Sequence, residues 1–257
     1  MRSAVFAVAF VLATLLAGCG GGSGPVYLAL GDSFGVGVGA SDEDEAGYVP
    51  LFYRFLKEEL DDGLLLRNIS VEGETSESLV REGQLARALE ILQRNWDDDH
   101  TNDIAVITLD IGGNDLRALI KEDGPCGPQP SLDDPACAGA VPQVIEEYAT
   151  NLTAILQTIR VAAGPDVRIL VLTLMNVYSG TGGPLDGAGD LVTAVINEQT
   201  KAAVESPAVR ATLVDIAPAF VGRGPELSHV QDPDPDFHLN DAGYQLLAAA
   251  LIEAYQR

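Results

Sequence analysis

Residues 26–35 read Val-Tyr-Leu-Ala-Leu-Gly-Asp-Ser-Phe-Gly, and this stretch decides the fold. Its first five residues form a continuous apolar run of strand length that ends at Gly31. Such runs are typical of strands that are buried on both faces of a parallel sheet. A short turn follows directly and carries Ser33 between two glycines. The stretch therefore predicts a buried strand that delivers a serine hydroxyl to the edge of a sheet.

The same pattern recurs along the chain, and longer segments with apolar residues at helical spacing lie between the repeats. Further strands are predicted at Leu64–Val71, Ile104–Leu109, Arg168–Leu174 and, more weakly, Ala211–Ile216. Helices are predicted at Tyr48–Leu60, Ser76–Trp96, Val141–Val161, Ala188–Glu205 and Asp241–Tyr255. Strands that alternate with helices indicate one α/β domain, a three-layer α/β/α sandwich around a parallel sheet of about five strands.

Function in such sheets collects at the carboxyl ends of the strands. Four blocks there carry side chains or glycines of chemical interest: Gly-Asp-Ser around Ser33, Glu-Gly-Glu around Gly73, Gly-Gly-Asn-Asp around Asn114, and Phe-His-Leu-Asn-Asp around His238. Each block alone is a modest signal, because a serine or asparagine after a strand is often only a helix cap or a turn residue.

Taken together and in this order, the four blocks resemble the SGNH hydrolases, also called GDSL esterases and lipases, from about Val26 to Gln256. The resemblance implies a flavodoxin-like fold in which Ser33 is the nucleophile and His238 is the general base. It also implies an oxyanion hole formed by the main-chain N–H groups of Ser33 and Gly73 and by the side-chain amide of Asn114. A serine needs an imidazole to accept its proton, and the oxyanion needs donors that are already in place.

One position departs from the family pattern. The aspartate that orients the histidine usually stands three residues before it, and here that position is Pro235. Asp236, Asp234 and Asp232 lie nearby, and a backbone carbonyl is a further alternative. We favour Asp236 as the orienting group, followed by Asp234.

The amino terminus is typical of an exported lipoprotein. A basic start and an apolar run form a predicted signal peptide at residues 1–18, and Leu-Ala-Gly-Cys then resembles a lipobox with Cys19 as the lipidated residue. Residues 19–25 form a Gly/Ser tether, and 26–257 form the hydrolase domain. We therefore expect the protein on the outer face of a bacterial membrane, held by a lipid anchor only. An ordinary cleaved signal with an incidental cysteine is the alternative.

Export places the two remaining cysteines in an oxidising compartment. Cys126 and Cys137 bracket a loop that is rich in Pro, Gly and Asp, and we expect them to form a disulfide. Closing a loop of about a dozen residues contributes roughly 3 kcal/mol in the chain-entropy model. Two free thiols remain the alternative.

Composition narrows the range of partners. Fifteen Lys and Arg against 38 Asp and Glu give a formal net charge of −23, which argues against nucleic acid. We expect no cofactor and no metal. A nucleotide is not expected, because the glycines at 35, 37 and 39 fit neither a phosphate loop nor a dinucleotide fingerprint. A metal is not expected near His100, because the acids before it are adjacent residues of a solvated connection.

The predicted function is a serine esterase that cleaves carboxylic esters of small molecules, glycans or lipids through an acyl-serine intermediate. The alternative from another class is a catalytically silent lipoprotein that uses this fold to bind glycan or lipid. Among enzymes, a carbohydrate O-acetylesterase competes with a lipase or a thioesterase. The insertion from Lys121 to Ala140 is polar and no large apolar lid is evident, which argues against a long-chain lipase.

Overall fold

The computed structural model describes residues 24–93, 103–127 and 130–257. The predicted signal peptide, the lipidation site Cys19, most of the tether, the predicted helix end at Trp96 and the acidic stretch before His100 lie outside the described residues. None of the helices in the described ranges combines the length and the apolar character needed to cross a bilayer.

Five parallel strands form one sheet in the order β2-β1-β3-β4-β5. Their bounds are β1 Val26–Gly31, β2 Leu65–Asn68, β3 Ile104–Asp110, β4 Arg168–Leu172 and β5 Thr212–Val214. All five predicted strands are present. β2, β4 and β5 end earlier than the apolar pattern suggested, and β1 and β3 each extend one residue further. The predicted α/β/α fold is confirmed.

Ten α-helices connect and cover the strands within the described residues. They are α1 Ser33–Val36, α2 Glu43–Ala46, α3 Tyr48–Glu59, α4 Ser76–Arg81, α5 Gln84–Gln93, α6 Gly113–Arg117, α7 Pro135–Ala163, α8 Gly187–Glu205, α9 Gly224–Leu227 and α10 Asp241–Gln256. Two hydrophobic cores separate the layers. Helices α4, α5, α7 and α8 pack on one face of the sheet, and α3 and α10 pack on the other.

Two helices differ from their prediction. The expected single helix from Ser76 is two helices, because Gly83 between them has φ +109°, a left-handed conformation that ends α4. Helix α7 begins six residues before Val141. The Asp134 side chain caps it by accepting from Ala136 N at 2.8 Å, and Pro135 occupies the first turn, where its missing N–H costs nothing.

The order of the strands fixes where a ligand site can form. β1 has β2 on one side and β3 on the other, so the chain leaves β1 and β3 toward opposite faces and a crevice opens at their carboxyl ends. Ser33 follows β1 and Asn114 follows β3. The two residues, 81 positions apart in the chain, therefore lie at one edge of the sheet.

Candidate active site

The turn after β1 holds Ser33 at the start of a short helix. Asp32 is the N-cap of α1, and its carboxylate accepts from the main-chain N–H of Phe34 at 3.0 Å. Ser33 is thus the first residue of the helix rather than its cap, and it is 3% exposed. A Cβ at Gly31 would lie 2.0 Å from the carboxylate of Asp110, so only glycine fits at the end of this strand.

Beneath this turn lies a pair of buried carboxyl groups that the sequence did not single out. Asp110, at the end of β3, accepts from the main-chain N–H of Asp32 at 3.4 Å and from the hydroxyl of Tyr48. Burial raises the pKa of Asp32 to about 6. Burial, reinforced by the charge of Asp32, raises the pKa of Asp110 well above its usual range. The hydrogen bonds from the main chain of Asp32 and from Tyr48 hold Asp110 directly against the serine turn.

Asn114 connects the serine turn to the loop that carries Gly73. The Asn114 amide donates to the Glu74 carbonyl at 3.0 Å and lies 3.5 Å from the Asp32 carboxylate, so it ties the second block to the third. Gly73 has φ +78°, which explains the need for glycine there. The main-chain N–H groups of Ser33 and Gly73 donate to none of the described residues, so both are free to bind an anionic oxygen.

A buried glutamine and a buried glutamate hold the first and second blocks together. The Gln84 side chain accepts from Gly31 N at 2.9 Å and donates to Gly31 O at 3.0 Å and to the Glu74 carboxylate at 2.8 Å. Glu74 also accepts from the Ser78 hydroxyl. Sequence reasoning missed both residues. The only available signal was a glutamine at the start of an amphipathic helix, and that position is usually exposed.

His238 lies in the loop before α10 and is 6% exposed. The two carboxylate oxygens of Asp236 lie 2.9 and 2.8 Å from its Nδ1. Partial burial would raise the pKa of Asp236, but the hydrogen bonds and charge of His238 outweigh burial and lower it. Of the other candidate acids, Asp232 contacts His229 Nδ1 at 2.6 Å and Asp234 is exposed. Asp236 alone of the three is placed to orient His238.

Contacts with the loop after α1 bring the histidine loop to the serine turn. His229 Nε2 lies 2.9 Å from the Gly39 carbonyl, and the Tyr244 hydroxyl donates to the Val38 carbonyl at 2.6 Å. Gly39 packs so closely that a Cβ there would lie 2.8 Å from the Cβ of His238. His229 therefore holds this loop against the loop after α1.

Ser33 and His238 are not hydrogen bonded to each other, and the residue after Ser33 contacts the His238 ring. Phe34, the residue after Ser33, packs edge-on against the His238 ring with 6.2 Å between ring centroids. His238 Nε2 is buried and has no hydrogen-bond partner among the described residues. Catalytic hydrogen bonds are often long in free enzymes and tighten when substrate binds. The imidazole edge is thus available to accept a proton.

The geometry agrees with a comparison of the sequence with known families. The profile of the GDSL-like lipase/acylhydrolase family matches residues 29–246, a span that includes all four blocks. The chain belongs to this family. The GDSL hydrolase matches no curated protein at a significant level.

Solved structures share its fold. The lipase Lip_vut3 from a goat rumen metagenome is 23% identical, with a TM-score of 0.68 over 90% of this chain and 97% of that one. A putative GDSL-like lipase from Parabacteroides merdae is 16% identical, with a TM-score of 0.61 over 90% and 95% of the two chains. The acetylxylan esterase Axe2 from Geobacillus stearothermophilus is 19% identical, with a TM-score of 0.52 over 91% and 94%. The GDSL hydrolase therefore shares its architecture with enzymes named for different esters.

Proposed function

We propose that this hydrolase cleaves carboxylic esters through an acyl-serine intermediate on Ser33. The observation that carries the proposal is the Asp236–His238 pair, whose ring packs against Phe34 of the serine turn and has a buried, unpartnered Nε2. The main-chain N–H groups of Ser33 in this turn and of Gly73 in the loop after β2 are free. A nucleophile, an oriented base and donors for an oxyanion are the parts that acyl transfer needs.

In the first half of the proposed reaction, His238 Nδ1–H donates to Asp236, which leaves the Nε2 lone pair free to accept a proton. As Ser33 Oγ attacks the ester carbonyl carbon, its proton passes to Nε2 and the carbonyl oxygen becomes an oxyanion. The free N–H groups of Ser33 and Gly73 stabilise that charge, and the Asn114 amide joins them by exchanging its 3.5 Å contact with Asp32 for the oxyanion. The carbon–oxygen bond to the alcohol then breaks, and Nε2–H protonates the leaving oxygen.

In the second half, a water molecule replaces the alcohol. His238 Nε2 accepts a proton from this water as the water oxygen attacks the acyl carbon. A second oxyanion forms and accepts hydrogen bonds from the same three donors. The bond from the acyl carbon to Ser33 Oγ breaks, and Oγ recovers the proton from Nε2. The products are a carboxylic acid and the free enzyme. Each half of the cycle balances without a cofactor.

The direct test of this proposal is labelling of the purified protein with a fluorophosphonate, since only an activated serine reacts with it. We expect stoichiometric labelling of Ser33, located by peptide mass spectrometry, together with hydrolysis of p-nitrophenyl acetate. A protein that is folded but neither labelled nor active would instead be a binding protein that retains the fold of a hydrolase.

Replacing Asp236 by asparagine is expected to lower kcat by roughly 10³-fold, with KM nearly unchanged. The carboxylate holds the imidazole in the tautomer that accepts at Nε2, and an asparagine amide favours the wrong tautomer. The measurement is steady-state hydrolysis of p-nitrophenyl acetate.

Two variants calibrate this result. Asp234→Asn removes an exposed carboxylate of the same loop and should change kcat less than threefold. Asp236→Glu should recover part of the lost rate, because it restores a carboxylate in a displaced position. An Asp236→Asn variant with kcat near that of the wild type would assign the orientation of His238 to another group.

We also propose that the protein is a lipoprotein anchored through Cys19 to the outer face of a bacterial membrane. The support is the lipobox at residues 16–19 and the short apolar run before it. In a bacterial host fed an alkyne fatty acid, the wild type should be labelled and partition into detergent, whereas Cys19→Ser should do neither. Equal labelling of the two forms would refute the anchor at this position.

A further inference from the structure

An apolar cavity of about 150 Å³ reaches the reacting groups. Asp32, Ser33 and Asn114 line it at one place, and most of its surface is apolar, with further polar groups from Arg117, Ser131, Asn176 and Thr193. Phe237, the residue before His238, also lines it, and the Arg117 guanidinium stacks on the Phe237 ring at 4.4 Å from its centroid. A polar reaction centre thus adjoins a space suited to hydrocarbon.

The insertion that is polar in sequence supplies one wall of this cavity. Cys126 and Cys137 both line it, and their disulfide ties the loop to the first turn of α7. The Cys126 main-chain N–H donates to the Leu119 carbonyl at 2.9 Å, which anchors the other end of the loop. Leu132, between the two cysteines in sequence, also lines the cavity. The wall is therefore held in place at both ends.

Three residues form a partition on another side of the cavity. Leu132, Val141 and Val192 line both the cavity and a separate open groove between α7 and α8. The groove continues over Leu191 and Val195, which are 65% and 52% exposed. A hydrocarbon chain that enters from Ser33 therefore meets this partition before it can reach the outside groove.

The position of the cavity shows which half of an ester it receives. The leaving alcohol must lie against His238 Nε2 to be protonated, and His238 does not line the cavity. Asn114, a donor to the carbonyl oxygen in the proposed reaction, does line it. The cavity thus lies on the acyl side of the scissile bond.

We propose that this cavity binds the acyl chain and makes the enzyme selective for esters of medium-chain acids, with an optimum near six carbons. This inference rests on the proposed ester hydrolysis. The size follows from the volume, because a dry apolar cavity of about 150 Å³ holds a benzene-sized ligand of six carbons. Each buried methylene should raise kcat/KM about fourfold, so hexanoyl esters should exceed acetyl esters by roughly 200-fold.

The test is kcat/KM for p-nitrophenyl acetate, butyrate, hexanoate, octanoate and dodecanoate. We expect a maximum at hexanoate or octanoate. In Ala188→Phe, a ring placed in the cavity wall should lower the hexanoate-to-acetate ratio at least tenfold. Val192→Ala thins the partition and should raise the dodecanoate-to-hexanoate ratio at least fivefold. The matched control is Ala194→Phe, at an exposed position of the same helix that lines neither space, which should keep the wild-type profile.

The outcomes separate this inference from the proposed function. Ser33-dependent hydrolysis that is fastest with acetate, or equally fast at every chain length, would refute binding of the acyl chain in this cavity. It would leave the proposed esterase activity supported. A preference for dodecanoate in the wild type would overturn the partition. Absence of hydrolysis of every ester, together with absence of fluorophosphonate labelling, would refute the esterase and the inference with it. If Ala188→Phe does not fold, the wild-type profile and Val192→Ala decide the question.

Discussion

Ser33→Ala is expected to lower kcat for ester hydrolysis by roughly 10⁶-fold, to a rate near that of the residual hydrolysis supported by the oxyanion hole alone. Without Oγ no acyl-enzyme forms, so fluorophosphonate labelling should disappear as well. The hydroxyl makes no hydrogen bond to another described residue, and its loss should therefore leave the melting temperature nearly unchanged. The residual kcat is measured in stopped assays at high enzyme concentration. Labelling is measured by gel fluorescence, and the melting temperature by calorimetry.

The matched control for this variant is Ser70→Ala. Ser70 lies in the loop after β2, and its hydroxyl is buried without a partner among the described residues. Removing that hydroxyl makes the same chemical change close to the same edge of the sheet, and activity should stay within threefold of the wild type. Substantial turnover by Ser33→Ala, with Ser70→Ala unaffected, would mean that another group attacks the ester.

His238→Ala is expected to have an effect of similar size, roughly 10⁵-fold or more on kcat, because Ser33 then has no acceptor for its proton. Binding of substrate should change far less, since the ring lies outside the apolar cavity. A fall in kcat with KM nearly constant is the expected signature, measured with p-nitrophenyl hexanoate.

Chemical rescue distinguishes a missing base from a damaged fold. Removing the ring leaves a space beside Phe34, and added imidazole should restore part of the rate of His238→Ala in proportion to its concentration. The same additive should not restore Ser33→Ala, which lacks the nucleophile. A His238→Ala protein that keeps wild-type kcat would remove the general base from the mechanism.

Most of the architecture could be predicted from local pattern. The apolar runs of β1 and β3 indicate strands that are buried on both faces, and the helical spacing between runs indicates the crossovers of a parallel sheet. The break at Gly83 was missed, because a glycine inside a helical pattern is compatible with both a continuous and an interrupted helix. The early start of α7 was missed because Asp134 and Pro135 resemble a loop until their cap is seen.

The site was predicted in part. Ser33, Gly73 and Asn114 were chosen after predicted strands and His238 from the block before the last helix. Their catalytic roles remain predictions. The choice among the acids before His238 depended on the path of a proline-rich loop, and no spacing rule covers that path. The cavity could not be predicted, because one of its walls comes from the insertion after Lys121. The average composition of this insertion is polar, and only a few of its apolar side chains line the cavity.

The sequence by itself determined the alternation of strands and helices and the residue types at the ends of the strands, since hydrophobic periodicity and turn chemistry act between near neighbours. The tertiary structure alone decided that Asp236 rather than Asp232 contacts His238, that two buried carboxyl groups brace the serine turn, and that the disulfide loop encloses an apolar cavity. Those features depend on distances between groups far apart in the chain. Such distances are set by the packing of whole layers, which no local pattern contains.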